Sequence, residues 1–202
     1  MQQYVNHHIS RWLNSNESYT ILDAGMGYGS TGFMLRLNYP KKKMTIYGYD
    51  VFEEGMEYAR KLGVAYDGIK KLNLGKEGLP HRDKSADIGI SVGVLAHLTK
   101  DGGYHLLSEL KRVCDHCIVT APTVLFQHES LCNDPKVEPL RHKSAWSYRD
   151  FKRRGFNVRG LMLRWSHDKQ TVLDSILSPW SFVMSAIHPG LTYFSGTLIA
   201  WV

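Results

Sequence analysis

An α/β domain whose mostly parallel sheet is covered on both faces is predicted by three observations. Short runs rich in Ile, Leu and Val alternate with segments of helical period, the pattern of strand-helix-strand units. A glycine-rich turn, Gly25-Met26-Gly27-Tyr28-Gly29, lies where the first such strand meets a helix. The 202 residues, 43% hydrophobic and 22% charged, suffice for one sizeable core, which sets aside disorder, collagen and a disulfide scaffold. In such folds ligands bind beyond the carboxyl ends of the strands, so the glycine turn is expected at that edge.

The elements follow in order. Val5, Ile9, Trp12 and Leu13 recur at helical spacing and predict an N-terminal helix within residues 1–17. Thr20–Ala24 is a short apolar strand running into the glycines, and a helix opens near Ser30 and ends before Pro40. Met44–Asp50 is the second strand, with Lys41, Lys42 and Lys43 in the turn before it. Glu53–Lys61 is helical, Asp67–Leu74 is extended, and a turn at Gly78-Leu79-Pro80 precedes the strand Ala86–Val92. Tyr104, Leu107, Leu110 and Val113 mark another helix, with Cys114 at its end, and Cys117–Pro122 is a fifth strand stopped by proline. Ser147 and Asp150 have the spacing of a capping box for a short helix that Gly155 ends. Phe156–Leu163 and Thr192–Val202 supply the last two strands, and no repeat or linker divides residues 1–202, which are read as one domain.

Every apolar run is interrupted before the ~20 residues a membrane-spanning helix needs, and residues 1–13 lack the regions of an export signal. Cys114, Cys117 and Cys132 are odd in number, so reduced thiols and a cytoplasmic location are expected. Lys and Arg number 25 against 19 acidic residues, a net charge of +6 that leans toward an anionic substrate or nucleic acid without deciding between them.

Two ligand classes fit the glycine turn. Gly27-Tyr28-Gly29-Ser30-Thr31-Gly32 matches the dinucleotide fingerprint in form, and Asp50 ends the next strand where an acid meets ribose hydroxyls. Asp23 separates the two, because a carboxylate beside the turn repels a pyrophosphate and attracts an ammonium or sulfonium group. Charge therefore favours S-adenosylmethionine over a nicotinamide dinucleotide.

With these residues the chain resembles the class I S-adenosylmethionine-dependent methyltransferases. Thr20 through Gly29 is similar to their first motif, and Tyr47-Gly48-Tyr49-Asp50 to their ribose-binding second strand. Leu79-Pro80 with Ser85 through Ile90 resembles the stretch entering their fourth strand, and Val92 through Leu98 the segment after it. Glu109 through Val113 is similar to their next helix, and the resemblance spans roughly residues 18–202. It implies a Rossmann-like, seven-stranded sheet, mostly parallel with an antiparallel last strand and helices on both faces. It also implies S-adenosylmethionine as cofactor, S-adenosylhomocysteine as product, and a cofactor site of Asp23, Gly25, Gly27, Tyr28, Gly29, Asp50, Val51, Asn73, Leu74 and Val92. Asp23 would lie near the cofactor's amino group, directly or through water, and Asp50 would take the ribose hydroxyls. Many members place an acid against the adenine amino group, whereas the matching stretch here is Lys71-Leu72-Asn73-Leu74-Gly75. Asn73 is the nearest acceptor and reads equally as a turn residue.

Methyl transfer from a sulfonium is an in-line displacement, so positioning supplies much of the rate, and a base is needed only where the acceptor must lose a proton. His97, after the fourth strand, is the candidate catalytic base, with a positioning role as the alternative. Residues 123–147 and 164–191 are candidate covers of the acceptor site. In the first, Gln127, His142 and Trp146 are candidate substrate contacts, with Trp146 alternatively anchoring the segment on the core. The second holds the apolar run 172–187, readable as a lid, a dimer contact or core.

Cys114 and Cys117, with His128 and Cys132 downstream, have incomplete zinc-site spacing, and no metal is expected. Arg141, Lys143, Arg149, Lys152, Arg153 and Arg154, interleaved with Trp146, Tyr148, Phe151 and Phe156, admit nucleic acid. An RNA enzyme would ordinarily carry an added binding domain for which this chain has no room. A small-molecule acceptor is therefore favoured, with RNA or protein methylation, or cofactor binding without catalysis, as alternatives. A monomer and a homodimer are both compatible with the sequence.

Overall fold

The computed structural model describes residues 2–13, 18–63, 65–123, 141–163 and 195–202. Helix α1 (Gln2–Trp12) precedes β1 (Ser18–Ala24), α2 (Ser30–Asn38), β2 (Lys43–Asp50), α3 (Glu53–Leu62) and β3 (Gly68–Lys71). Then come β4 (Ala86–Val92), a 3₁₀ turn (Leu95–His97), α4 (Lys100–Val113), β5 (Cys114–Pro122), α5 (Tyr148–Lys152), β6 (Asn157–Leu163) and β7 (Ser195–Trp201). Seven strands form one sheet in the order β3-β2-β1-β4-β5-β7-β6. Strands β3, β2, β1, β4 and β5 pair in parallel, whereas β7 runs antiparallel to both β5 and β6. The mostly parallel sheet with an antiparallel last strand is thus present.

Both faces of the central strands are buried, so their sequences are apolar throughout rather than alternating. Ile21, Ile46, Ile88, Ile90 and Ile118 pack on one side with Val5 and Ile9 of α1 and Leu35 of α2. Leu22, Cys117, Val119 and Leu198 pack on the other with Leu107 and Leu110 of α4 and Phe151 of α5. The switch from β1 to β4 across the sheet leaves a crevice at the carboxyl ends of the two strands, the place where such sheets bind ligands.

Two elements differ from the sequence reading. The third strand ends at Lys71 rather than Leu74, because the chain turns off the sheet after Leu72, whose N–H donates to the Asp50 carbonyl at 2.9 Å. The fifth strand begins at Cys114 rather than Cys117: Cys114 closes α4 as its C-cap, its N–H donating to the Leu110 carbonyl, and at once pairs in register with Ala86 of β4. The short helix α5 carries the expected capping box, in which Ser147 and Asp150 satisfy each other's backbone N–H groups. Burial pushes the Asp150 carboxyl up, but hydrogen bonds from Lys100, Tyr104 and Ser147 outweigh it and hold the group well below the usual carboxylate range.

Trp146 is a core residue, which corrects its assignment as a substrate contact. It is only 1% exposed, its Nε1–H donates to the Leu95 carbonyl at 3.1 Å and to Ser144 Oγ at 2.9 Å, and Lys100 Nζ lies 4.1 Å from its ring centroid. Its ring occupies the space that a side chain at Gly103 would fill, so that helical position must be glycine. Together with Phe151 and Phe156, both buried, it ties residues 141–156 to α4 and the 3₁₀ turn. Trp146→Ala is expected to destabilise the protein by about 3–5 kcal/mol, read as a lowered denaturation midpoint with an unchanged slope in urea.

Candidate active site

The turn between β1 and α2 is built from glycines that hold conformations other residues avoid. Gly25, Gly27 and Gly29 have φ of 97°, 52° and 89°. The turn is tied to the end of β2: the N–H groups of Gly25 and Met26 donate to the Tyr49 carbonyl at 2.7 and 3.2 Å, and Gly27 N–H donates to Asp50 Oδ2 at 2.8 Å. A Cβ added at Gly27 would meet nothing within 4 Å, so the backbone there is bare toward open space, as close approach of a ligand requires.

That space is a cavity of about 440 Å³ at the carboxyl edge of the sheet, within the usual range for small ligands. Gly25 and Gly27 form its floor, with Asp50, Val51 and Phe52 from the end of β2 beside them. Leu72, Asn73 and Leu74, after β3, make one wall. Val92, Gly93 and Val94, after β4, lead to His97, Leu98 and Lys143 at the other.

Asp50 is held by the backbone around it. Its Oδ1 accepts from the N–H groups of Val51 and Phe52 at 2.7 and 3.0 Å while Oδ2 accepts from Gly27. Such bonds fix the orientation of the carboxylate. Asn73 combines both of its expected roles: its side-chain oxygen accepts from Gly75 N–H at 3.2 Å, a turn-forming bond, and the residue lines the cavity. His97 closes the 3₁₀ turn with Nδ1 3.2 Å from the Arg141 carbonyl and its ring centroid 5.0 Å from that of His142. A carbonyl only accepts, so this bond places the proton on Nδ1 and the basic lone pair on Nε2.

Asp23 lies behind the turn rather than on the cavity wall. It is fully buried, Tyr66 donates to its Oδ2 at 2.6 Å, and its Oδ1 meets no donor of hydrogen-bonding geometry among the described residues. Burial raises its pKa to about 7, assisted by the nearby Asp50 charge and opposed by hydrogen bonding from Tyr66 and Thr31.

Several expected positions lie off the cavity. Tyr28 is half-exposed and turns outward, its ring edge-on to Phe52 and Tyr58 and its hydroxyl 3.3 Å from Glu54 Oε1. Gly29 caps α2 and packs toward Ala59 and Tyr66. His142 stands behind His97, outside the lining. Gln127, His128, Cys132, most of the 123–147 segment and all of 164–191 lie outside the described residues. Sequence reasoning missed Phe52, Leu72, Gly93, Val94, Leu98 and Lys143 as lining residues; apart from Val94 they are immediate neighbours of predicted positions. Gly32, the last glycine of the dinucleotide-like pattern, serves packing, since a Cβ there would come 2.6 Å from the Tyr66 ring.

In the basic, aromatic stretch Trp146, Phe151 and Phe156 are buried and the Arg154 guanidinium lies 3.4 Å over the Tyr104 ring, while Tyr148 is partly exposed. Among the described residues no His, Cys, Asp and Glu side chains converge as a metal site, and no helix is long and apolar enough to cross a membrane.

The raised pKa of Asp23 means that the fold prefers its protonated form. The stability this confers is fully present below the unfolded-state value near 4 and is lost as pH rises through about 7. Ligand-free Asp23→Asn is expected to melt above the wild type at about pH 8, with the gap closing toward about pH 4, by differential scanning calorimetry.

Residues 21–116 match a family model described as a methyltransferase domain. No curated protein matches the chain by sequence. A chain of the complex between the Haloferax volcanii Trm112 methyltransferase activator and a methyltransferase is 19% identical, with a TM-score of 0.58, over 98% of this chain and 87% of that one. An S-adenosylmethionine-dependent methyltransferase from Archaeoglobus fulgidus is 16% identical at a TM-score of 0.58, over 100% and 93% of the two chains. The [4+2]-cyclase SpnF is 13% identical at the same TM-score of 0.58, over 98% and 78%. At such identities the likeness establishes the fold, and a cyclase sharing it shows that activity has to be argued from the site. Residues 21–116 thus resemble a methyltransferase domain, and the chain shares the fold of these methyltransferase structures.

Proposed function

We propose that the protein transfers a methyl group from S-adenosylmethionine to a small-molecule acceptor in the cytosol, releasing S-adenosylhomocysteine. The observation that carries the reading is one cavity with two chemically distinct ends: a bare glycine turn with Asp50 at one, and His97 with Lys143 at the other. The residues fit the cofactor. The open face of Gly27 admits a chain against the backbone, the buried Asp23 Oδ1 lacks a donor that an ammonium or a bridging water would supply, and Asp50 supplies a fixed carboxylate for ribose hydroxyls. Asn73 and Leu74 would hold the adenine, with the amide oxygen as acceptor. S-Adenosylmethionine supplies a methyl group on a positively charged sulfur, which any properly aligned nucleophile can take.

The protein's part is to bind, align and exclude water. Val92, Gly93 and Val94 separate the two ends of the cavity, and Leu98 gives the acceptor end an apolar wall. His97 removes the acceptor's proton through Nε2 when the nucleophile is a hydroxyl, its ring held by the Arg141 carbonyl. The burial of Trp146, Phe151 and Phe156, three of the four aromatic rings of the basic stretch, supports a small acceptor over RNA. Free, buried Cys114 and Cys117, with thiols pushed by burial up to about 12, suit a reducing compartment.

Isothermal titration with S-adenosylhomocysteine, with NADH as control, tests the cofactor. S-Adenosylhomocysteine alone is expected to bind, and binding of NADH alone would return the turn to a dinucleotide role. Asp50→Ala is expected to weaken that binding by about 1.5–3 kcal/mol, since both ribose contacts and the anchor of Gly27 are lost. With an acceptor found by screening labelled extracts, His97→Ala is expected to lower turnover by ~10²-fold and to remove a limb of the pH-rate profile. An unaltered profile would reduce His97 to packing.

A further inference from the structure

Tyr66 lies in the connection between α3 and β3, outside every segment that signals cofactor binding in the sequence. We propose that it is a positioning residue for the cofactor's amino-acid end, holding Asp23 by one oxygen so that the other receives the ammonium group through a bridging water. The inference rests on the function proposed above and adds to it a residue and a means of recognition.

Its phenol makes two bonds whose directions are fixed by chemistry. The Tyr66 oxygen accepts from Gly32 N–H at 3.1 Å, and the same hydroxyl lies 2.6 Å from Asp23 Oδ2. An amide N–H only donates, so the phenolic hydrogen is committed to the carboxylate. Gly32 is the third residue of α2, whose N-cap, Gly29, offers no side chain, so Tyr66 caps the helix from outside and clamps Asp23 in one stroke.

The surroundings are shaped for this ring. A Cβ at Gly32 would sit 2.6 Å from it, while one at Gly48 of β2 would collide with Met26 Sδ and come about 3.0 Å from the ring. Gly32 thus leaves the slot that the ring fills, and Gly48 leaves space that the ring shares with Met26. The remaining oxygen, Asp23 Oδ1, is buried and meets no donor of hydrogen-bonding geometry among the described residues, although the hydroxyl of Thr31 on α2 also acts on the carboxyl group. From β2 the Asp50 carboxylate opposes ionisation of Asp23, while Tyr66 favours it. An ammonium ligand needs the ionised form, so the phenol both aims the carboxylate and keeps it available near neutral pH.

The test compares S-adenosylhomocysteine with 5′-methylthioadenosine, which has the same thioether nucleoside and no amino-acid part. Tyr66→Phe keeps the ring in its slot and removes only the hydroxyl. It is expected to weaken S-adenosylhomocysteine about tenfold while leaving 5′-methylthioadenosine within about twofold. Wild-type affinity for S-adenosylhomocysteine is expected to rise with pH through about 7, and this midpoint moves upward in Tyr66→Phe because the carboxylate loses a donor. Asp23→Asn is expected to flatten the pH dependence and, in the double variant, to make Tyr66→Phe silent. Equal loss of both ligands, an unmoved midpoint, or a full Tyr66→Phe effect in the Asp23→Asn background would overturn the proposal. Asp23→Asn alone decides it if Tyr66→Phe fails to fold, since an unchanged pH profile there removes the carboxylate's role. If the wild type bound 5′-methylthioadenosine and S-adenosylhomocysteine equally, only this inference would fall; if it bound neither, the function would fall with it.

Discussion

The bond from Gly27 N–H to the Asp50 carboxylate is the constraint on which the site depends. A turn with three glycines at positive φ is entropically costly, since the unfolded chain has most freedom there. Here it is held from one side only, by the last two residues of β2: the Tyr49 carbonyl takes two N–H groups and the Asp50 side chain takes the third. The parallel pairing of β1 with β2 puts Ala24 opposite Tyr49, so the strand register delivers these acceptors to the turn. Sheet register, turn geometry and the position of the Asp50 carboxylate are consequently one arrangement.

Much of this was legible in the sequence because the relevant physics is local. The strands buried on both faces announce themselves as apolar runs, Ser147 and Asp150 show a helix start by spacing alone, and glycines after an apolar strand mark a tight turn. Asp50 follows from its place at the end of the second strand, Val51, Asn73, Leu74 and Val92 are implied by the resemblance, and all line the cavity. Side-chain direction is not local, and there the reading fell short. Tyr28 sits between two glycines of the turn yet points outward to α3, and Trp146, in a polar stretch, is drawn into the core by a glycine on α4 more than 40 positions earlier.

Tyr66 illustrates the same limit from the other side. Nothing near it in the chain marks it as functional, because its partners Asp23, Gly32 and Gly48 belong to three other elements. The glycine pattern from Gly27 to Gly32 looked like a dinucleotide fingerprint, but its last glycine answers to an aromatic ring and not to a phosphate. Identical spacing can therefore record two different packing problems, and the charge of Asp23 was the feature that distinguished them.

The attachment of residues 141–146 has a consequence for how the protein can change over generations. Trp146 N–H donates to the Pro122 carbonyl at 2.8 Å, and the N–H groups of Lys143 and Ser144 both donate to the Ala96 carbonyl. The stretch between Pro122 and Trp146 is thus stapled at its base, so insertions and deletions within it alter closure entropy only logarithmically with length. Changes of length between these two anchors therefore leave the turn held by β1 and β2 untouched.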